Sequence, residues 1–340
     1  KPPIGNQVKH ILIILSLFLF SFIIFSCSEK EESSTTPTTS SPLFVSVGNS
    51  GTILTSSDGT TWTSKTSGTN EHLYGVTYAN STFVVVGDND TGTGTGTILT
   101  SPDGTTWTSR TSGTSNELYK VFYANSTFVI VGGSGTILTS PDGITWTSRT
   151  SGTSNALYGV TYGNSIFVAD GVNGTILTSS DGTTWTSRTS GTSKTFVRVT
   201  YGNSIFVMVG QSGTIMTSSD GTSWDNRTSG TSNALYGVTY GNSTFVAVGH
   251  YETILTSSDG TTWTSRTSGR TNSSGLSYKN SSGWTYTDYL EGITYGNSIF
   301  VTVGRGEDGS GTIMTSSDGI NWTSRTSGTT NNLWFVTHKE

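Results

Sequence analysis

The stretch Gly174-Thr-Ile-Leu-Thr-Ser-Ser-Asp-Gly-Thr-Thr-Trp-Thr-Ser-Arg-Thr-Ser-Gly191 decides the fold of this 340-residue chain, because it occurs seven times with few changes. By subtraction, its tryptophans are spaced by 45, 39, 39, 39, 39 and 59 residues, a period of 39 with two insertions. Such a period marks an array whose copied unit cannot bury its faces alone. The seven tryptophans are Trp62, Trp107, Trp146, Trp185, Trp224, Trp263 and Trp322.

One copy, residues 235–269, contains four β-type runs separated by turn signals. They predict strand a at 235–240, strand b at 244–248, strand c at 253–256 and strand d at 262–267. Strand b is a continuous apolar run, so we expect both of its faces to be buried. Strand d is polar and carries Arg or Lys in every copy, as suits an outer edge strand. Four antiparallel strands in about 39 residues, without a helix, are typical of a β-propeller blade.

Strands c and d are joined by Ser-x-Asp-Gly-x-x-Trp, in which Gly accepts positive φ and the Asp carboxylate accepts turn amides. This motif resembles the Asp box of BNR-repeat propellers, found in sialidases, sortilin-like receptors and the photosystem II assembly factor family. The usual box has one more residue between Asp and Gly. The resemblance implies that the repeated aspartates shape turns and neither bind metal nor catalyse.

The two ends of the array are complementary. The first copy lacks strand a, since residues 43–48 align with strand b, while the chain ends in an unpaired strand a at 333–338. Pairing the termini would hide both open edges. We therefore predict an all-β, seven-bladed propeller of four-stranded antiparallel blades over residues 43–340, closed by the C-terminal strand.

Residues 1–27 have a different composition. Lys1 and Lys9 precede an apolar run at 11–25, and the chain's one cysteine, Cys27, follows Ser26. This pattern describes a secretory signal and resembles the lipobox of bacterial lipoproteins, with Cys27 acylated. An uncleaved membrane anchor is the alternative. Residues 28–42 would form a polar tether, which predicts an exported, lipid-anchored protein at the outer membrane or surface of a bacterium.

Composition excludes several classes of function. The formal net charge of −5 gives no basic surface for nucleic acid. One cysteine and four scattered histidines give no metal-like spacing, so neither a metal nor a cofactor is expected. A closed ring also predicts a monomer.

Differences among the copies locate the candidate site. The a–b and c–d turns scarcely vary, whereas the d–a and b–c loops vary and hold both insertions, at 88–94 and 270–289. Alternating strands place these loops on one face, where binding residues collect on a rigid scaffold. Lys120 and Arg198 also replace the Gly of strand a. The candidate ligand-binding residues are Arg198, His250, Glu252, Arg270, Trp284, Tyr286, Glu291 and Arg305.

Two function classes remain open. The first is a non-enzymatic binding module for a glycan or protein ligand, with an acidic ligand favoured by Arg198 and Arg305. The second is a sialidase-like glycoside hydrolase, in which Arg198, Arg270 and Arg305 would hold a carboxylate; Glu252 and Glu291 are its available acids. An assembly factor of a membrane complex, resembling the photosystem II family, is a further alternative.

Overall fold

The computed structural model describes residues 44–89, 95–269, 289–306 and 310–339. Within these ranges the regular structure consists of strands and four single 3-10 turns. The 3-10 turns are Gly133–Gly135, Val172–Gly174, Gln211–Gly213 and His250–Glu252.

The strands follow the chain in order. They are β1 (Phe44–Gly48), β2 (Ile53–Ser56), β3 (Thr63–Lys65), β4 (Leu73–Ala79), β5 (Thr82–Gly87), β6 (Thr97–Ser101), β7 (Thr108–Arg110), β8 (Leu118–Ala124), β9 (Thr127–Gly132), β10 (Ile137–Ser140), β11 (Thr147–Arg149), β12 (Leu157–Gly163), β13 (Ile166–Gly171), β14 (Ile176–Ser179), β15 (Thr186–Arg188), β16 (Phe196–Gly202), β17 (Ile205–Gly210), β18 (Ile215–Ser218), β19 (Asp225–Arg227), β20 (Leu235–Gly241), β21 (Thr244–Gly249), β22 (Ile254–Ser257), β23 (Thr264–Arg266), β24 (Tyr289–Gly296), β25 (Ile299–Arg305), β26 (Gly311–Ser316), β27 (Thr323–Arg325) and β28 (Leu333–His338).

These strands form seven four-stranded antiparallel sheets, each ordered a-b-c-d. Blade 1 is β28-β1-β2-β3, and blades 2 to 7 follow in chain order from β4 to β27. The innermost strands of neighbouring blades contact one another around the ring, including β28 with β4 and β24 with β28. The seven-bladed propeller closed by the C-terminal strand is therefore confirmed.

Apolar side chains fill the seven interfaces between blades. Each hydrophobic cluster joins residues of two neighbouring blades, and strand b contributes to the clusters on both of its sides. Val84, for example, packs with blade 3, whereas Val85 packs with blade 1. The continuous apolar run of strand b is thus buried on both faces, as its sequence predicts.

The c–d turn is built by its own side chains. In blade 6 the Asp259 Oδ1 atom accepts the backbone N–H groups of Thr261 and Thr262, both at 2.8 Å, and Ser257 Oγ accepts the N–H of Gly260 at 2.8 Å. Because Thr262 is held in the turn, strand d begins at Thr264, two residues later than expected. These bonds lower the pKa of the Asp259 carboxyl, the backbone bond from Thr262 contributing most.

The turns also link neighbouring blades. Asn164, in the a–b turn of blade 4, donates through Nδ2 to the Ser219 carbonyl in the c–d turn of blade 5 at 3.3 Å. The equivalent bond from Asn203 to Ser258 is 3.4 Å long. The face with little sequence variation therefore has a structural role at these positions.

Candidate functional site

The channel mouth on the variable face is lined by one residue near the start of each strand a. In all seven blades the pairing of strands a and b shifts by one residue at this point, a β-bulge that leaves this residue unpaired. Bulges re-aim side chains and are common beside functional sites. The residues at this position are Tyr74, Tyr119, Tyr158, Val197, Tyr236, Glu291 and Trp334.

Four of these side chains, from blades 1 to 4, form a continuous aromatic arc that we call the mouth arc: Trp334, Tyr74, Tyr119 and Tyr158. Neighbouring ring centroids lie 5.9, 5.7 and 5.0 Å apart in that order. All four side chains are half-buried. The four rings therefore pack against one another and also present aromatic faces and edges to the channel mouth.

Polar partners fix the orientation of the mouth arc. Tyr74 donates its hydroxyl to Asp88 at 3.1 Å, and Asp88 also accepts the backbone N–H of His72 at 2.7 Å. Tyr119 donates to Glu117. Burial, then the neighbouring carboxylates, raises the pKa of both tyrosines, so their hydroxyls stay protonated at neutral pH.

Below the arc lies the channel floor, which we define as Lys120, Arg198 and Phe335. These residues directly follow the unpaired residue of strand a on blades 3, 5 and 1, and the other four blades have Gly there. The Lys120 Nζ atom lies 3.2 Å from the Phe335 ring centroid, and the Arg198 Cζ atom lies 4.8 Å from it. Burial, with a smaller contribution from Arg198, lowers the pKa of Lys120 well below its usual range.

Two carboxyl groups accompany the cations of the floor. Asp170 on strand b of blade 4 is fully buried, and its carboxylate fills the space beside Gly159, where a Cβ would lie 2.1 Å from Oδ2. Neither Asp170 oxygen has a hydrogen-bond partner within the described part of the chain. Burial raises the pKa of Asp170 to about 7, with Arg198 opposing the shift.

Glu291 is the second carboxyl group. Burial raises its pKa to about 7, against the opposing effects of Arg305 and Arg198. Its Oε1 atom lies 3.5 Å from Arg305 Nε. Arg198, whose pKa burial lowers to about 10, interacts electrostatically with both Asp170 and Glu291 and donates a long 3.5 Å bond to the Tyr158 carbonyl. Arg305 thus lies against a carboxyl group of the protein itself, and Arg198 is in electrostatic range of two.

Beside the mouth, four planar groups of blades 6 and 7 are layered; we call them the blade 6–7 stack. His250 lies between Tyr251, at 3.7 Å, and Tyr289, at 4.2 Å, measured between ring centroids. The Arg305 guanidinium covers the other face of Tyr289 at 3.8 Å. Burial, then Arg305, lowers the pKa of His250, so its imidazole is neutral at pH 7.

The structure gathers four of the predicted site residues at this face: Arg198, His250, Glu291 and Arg305. Glu252 lies in the same loop as His250 and accepts a hydrogen bond from Ser268. Arg270, Trp284 and Tyr286 lie outside the described residues, as do Cys27, the signal and tether segments and positions 90–94. The arginine triad of the hydrolase hypothesis therefore stays untested.

Sequence reasoning missed Asp170, Phe335 and Tyr251. Each was detectable by the comparison that found Lys120 and Arg198, because each breaks the repeat. Asp170 replaces a Val present in the six other strands b, Phe335 replaces Gly, and Tyr251 replaces a small Ser or Asn.

Comparisons with known proteins agree with the fold. Residues 75–196 match the DUF6242 β-propeller domain. A search of curated protein sequences finds no match. Among solved structures, the chain is similar to YCF48 bound to a D1 peptide, with a TM-score of 0.57 and 16% identity over 77% of this chain and 85% of that one.

Two further structures are similar. YCF48 from Cyanidioschyzon merolae gives a TM-score of 0.54 at 16% identity, over 78% of this chain and 94% of that one. The computationally designed Ika8 protein gives 0.50 at 14% identity, over 84% and 80%. At such low identities these likenesses show the propeller fold alone. In the described ranges, no helix is long and apolar enough to span a bilayer.

Proposed function

We propose that this chain is a non-enzymatic binding module that holds an extended polypeptide segment across the channel mouth. The observation that carries the proposal is the mouth arc, in which aromatic side chains from four consecutive blades form one surface. Aromatic anchors held by their own hydrogen bonds lose little conformational entropy on binding and are enriched at protein interfaces.

A polypeptide ligand is favoured by two further observations. Tyrosines 5.7 and 5.0 Å apart continue the arc over three consecutive blades, so an extended chain could contact several in succession. One of the similar folds, YCF48, has been solved with a bound peptide, which supports a peptide ligand by analogy.

The charges of this face favour a basic segment. The acidic ligand expected from sequence depended on Arg198 and Arg305; Arg305 lies against Glu291, and Arg198 interacts electrostatically with Asp170 and Glu291. Among the described residues of the face, acidic groups outnumber basic ones. Without Asp170, Glu291 and Lys120, whose shifted pKa values weaken their charges near neutral pH, they are Glu71, Asp88, Glu117 and Glu252 against Lys194, Arg198 and Arg305.

We also propose that the propeller works outside the cytoplasm, tethered through an acylated Cys27 by the polar residues 28–42. A tether of this composition would let the module reach segments of neighbouring surface proteins. Assembly of a membrane complex is one process such a module could serve.

The test is peptide selection with the purified full-length chain, using a phage-displayed library of random 12-residue peptides. Selected peptides should bind Tyr119→Ala roughly 30-fold more weakly, the loss of an interface anchor worth about 2 kcal/mol. Tyr119→Phe, which keeps the ring, should retain most of the affinity.

Ile144→Thr is the control, because Ile144 is 49% exposed on the opposite face and Thr restores the repeat residue. It should bind like the wild type. Equal loss in the Ile144 variant, or no peptide enriched by the wild type, would contradict the proposal.

A further inference from the structure

The b–c loop of blade 6 departs from a pattern that four other blades share. In blades 1, 3, 4 and 5 two successive loop residues have left-handed φ angles, and the pair is Ser or Asn followed by Gly. In blade 6 the same positions hold Tyr251, with φ of 56°, and Glu252, with φ of 47°. Left-handed backbone is unfavourable for residues other than Gly, and strain of this kind concentrates at functional sites.

The glycine of this pair is required by its surroundings. A Cβ on Gly213 of blade 5 would lie 2.0 Å from the Thr231 carbonyl oxygen in the following d–a loop, and three other blades show the same conflict. In blade 5 that carbonyl also accepts a 3.1 Å bond from Ser229. In blade 6 the equivalent serine, Ser268, bonds the Glu252 side chain. Blade 6 therefore places a carboxylate side chain where these neighbours have a glycine.

Blade 6 carries an exposed aromatic face at this loop. Tyr251 is 46% exposed, the most exposed aromatic side chain among the described residues. It ends the blade 6–7 stack, whose other end is the Arg305 guanidinium. The imidazole between the two tyrosines is neutral at pH 7, so it adds no positive charge at the exposed end.

We infer that the exposed face of Tyr251 is a subsite for an arginine side chain of the bound polypeptide. Guanidinium groups stack on aromatic faces, and the molecule already uses this arrangement between Arg305 and Tyr289 at 3.8 Å. The acidic excess of the face attracts the same cation. This inference rests on the proposed function and names one side chain of its ligand.

The experiment repeats the selection from the random 12-residue library with three full-length proteins: wild type, Tyr251→Ser and Tyr251→Phe. Arg should be enriched several-fold over Lys in wild-type peptides, because only the guanidinium is planar. Tyr251→Ser restores the repeat residue and should lose this enrichment without any fall in melting temperature. Tyr251→Phe keeps the face and should retain it.

A selected peptide is then compared with its citrulline analogue, which keeps the planar group but loses the charge. Wild type should bind the citrulline peptide about fivefold or more weakly, and Tyr251→Ser, which keeps only the acidic excess of the face, should show a clearly smaller difference between the two peptides. Arg enrichment that persists in Tyr251→Ser, or peptides enriched without Arg, would overturn this inference while leaving the proposed function standing. A wild type that enriches no peptide would overturn both.

Discussion

Lys120 on blade 3 holds its ammonium group 3.2 Å above the ring centroid of Phe335 on blade 1, across the channel. Each residue replaces a glycine of the repeat, so the contact joins two positions at which the sequence departs from the repeat. The contact partly offsets the removal of a charge from water, since a cation over an aromatic face gains about 0.5–2 kcal/mol.

Replacing Lys120 with Met tests whether the contact with Phe335 offsets the cost of removing the charge from water. Met keeps the length of the side chain and its packing on Phe335 but removes a 93% buried charge. Because desolvation of an ion exceeds what one aromatic face returns, we expect the free energy of unfolding to rise by about 1 kcal/mol. Urea denaturation measures it. A fall of the same size would mean that the ammonium has a stronger partner than Phe335.

The raised pKa values of Asp170 and Glu291, both about 7, predict a pH dependence of stability. A carboxyl group whose pKa is higher in the folded than in the unfolded state destabilises the fold as it ionises. Stability should therefore fall as the pH rises from about 4 to about 7. Asp170→Asn cannot ionise and should lose less stability over this window than the wild type.

Melting temperatures between pH 4 and 8 give the comparison, with Glu291→Gln as the matched variant for the second carboxyl group. Below about pH 4 both proteins should lose stability together, because the turn aspartates, such as Asp259, have lowered pKa values and lose their folded-state advantage when protonated. If the melting temperatures of Asp170→Asn and of the wild type changed in parallel above pH 4, the raised pKa of Asp170 would be contradicted.

Ring closure depends on the C-terminal strand β28. It pairs with β1 in the register Val45 with Thr337, and Ser46 Oγ donates to the Phe335 carbonyl at 3.0 Å. Deleting residues 333–340 removes the fully buried Leu333 and Val336 and exposes the edge of β1. Large apolar side chains contribute roughly 1.5–3 kcal/mol each on burial.

We expect the truncated protein to melt at a much lower temperature and to self-associate, as size-exclusion chromatography and thermal melting would show. A monomer with an unchanged melting temperature would be incompatible with closure through β28.

The proposed lipid anchor is tested by Cys27→Ser in cells. The substitution removes the thiol that would be acylated and leaves the apolar run at 11–25 intact. Detergent-phase partitioning should be lost, since the lipid chains supply the membrane affinity. Unchanged partitioning would instead favour the uncleaved helical anchor.

Much of the fold could be predicted from the sequence because one blade motif is repeated seven times. The 39-residue period predicts the blade, and the continuous apolar run of strand b predicts burial on both of its faces. The strand a missing from the first copy and the unpaired strand a at the end of the chain predict closure of the ring. Strand limits were less predictable: Thr262 has strand-like character, but its N–H is used by Asp259 in the turn.

The candidate site was predictable as a face but not as an arrangement. Repeat breaks identify Arg198, Glu291 and Arg305 as unusual, and alternating strand direction places them together. Which charges face one another depends on side chains from different blades, such as Asp170 with Arg198, whose positions in sequence have no fixed spacing.

The sequence by itself determined the propeller, its closure and its variable face, because these depend on periodicity and on which backbone edges remain unpaired. Only the tertiary structure decided that the tyrosines form an arc, that Arg305 lies against Glu291, and that Tyr251 ends a stack. The physical reason is that blades meet through side chains from residues far apart in the chain, such as Tyr119 and Tyr158, and such contacts depend on distance in space and not on order along the chain.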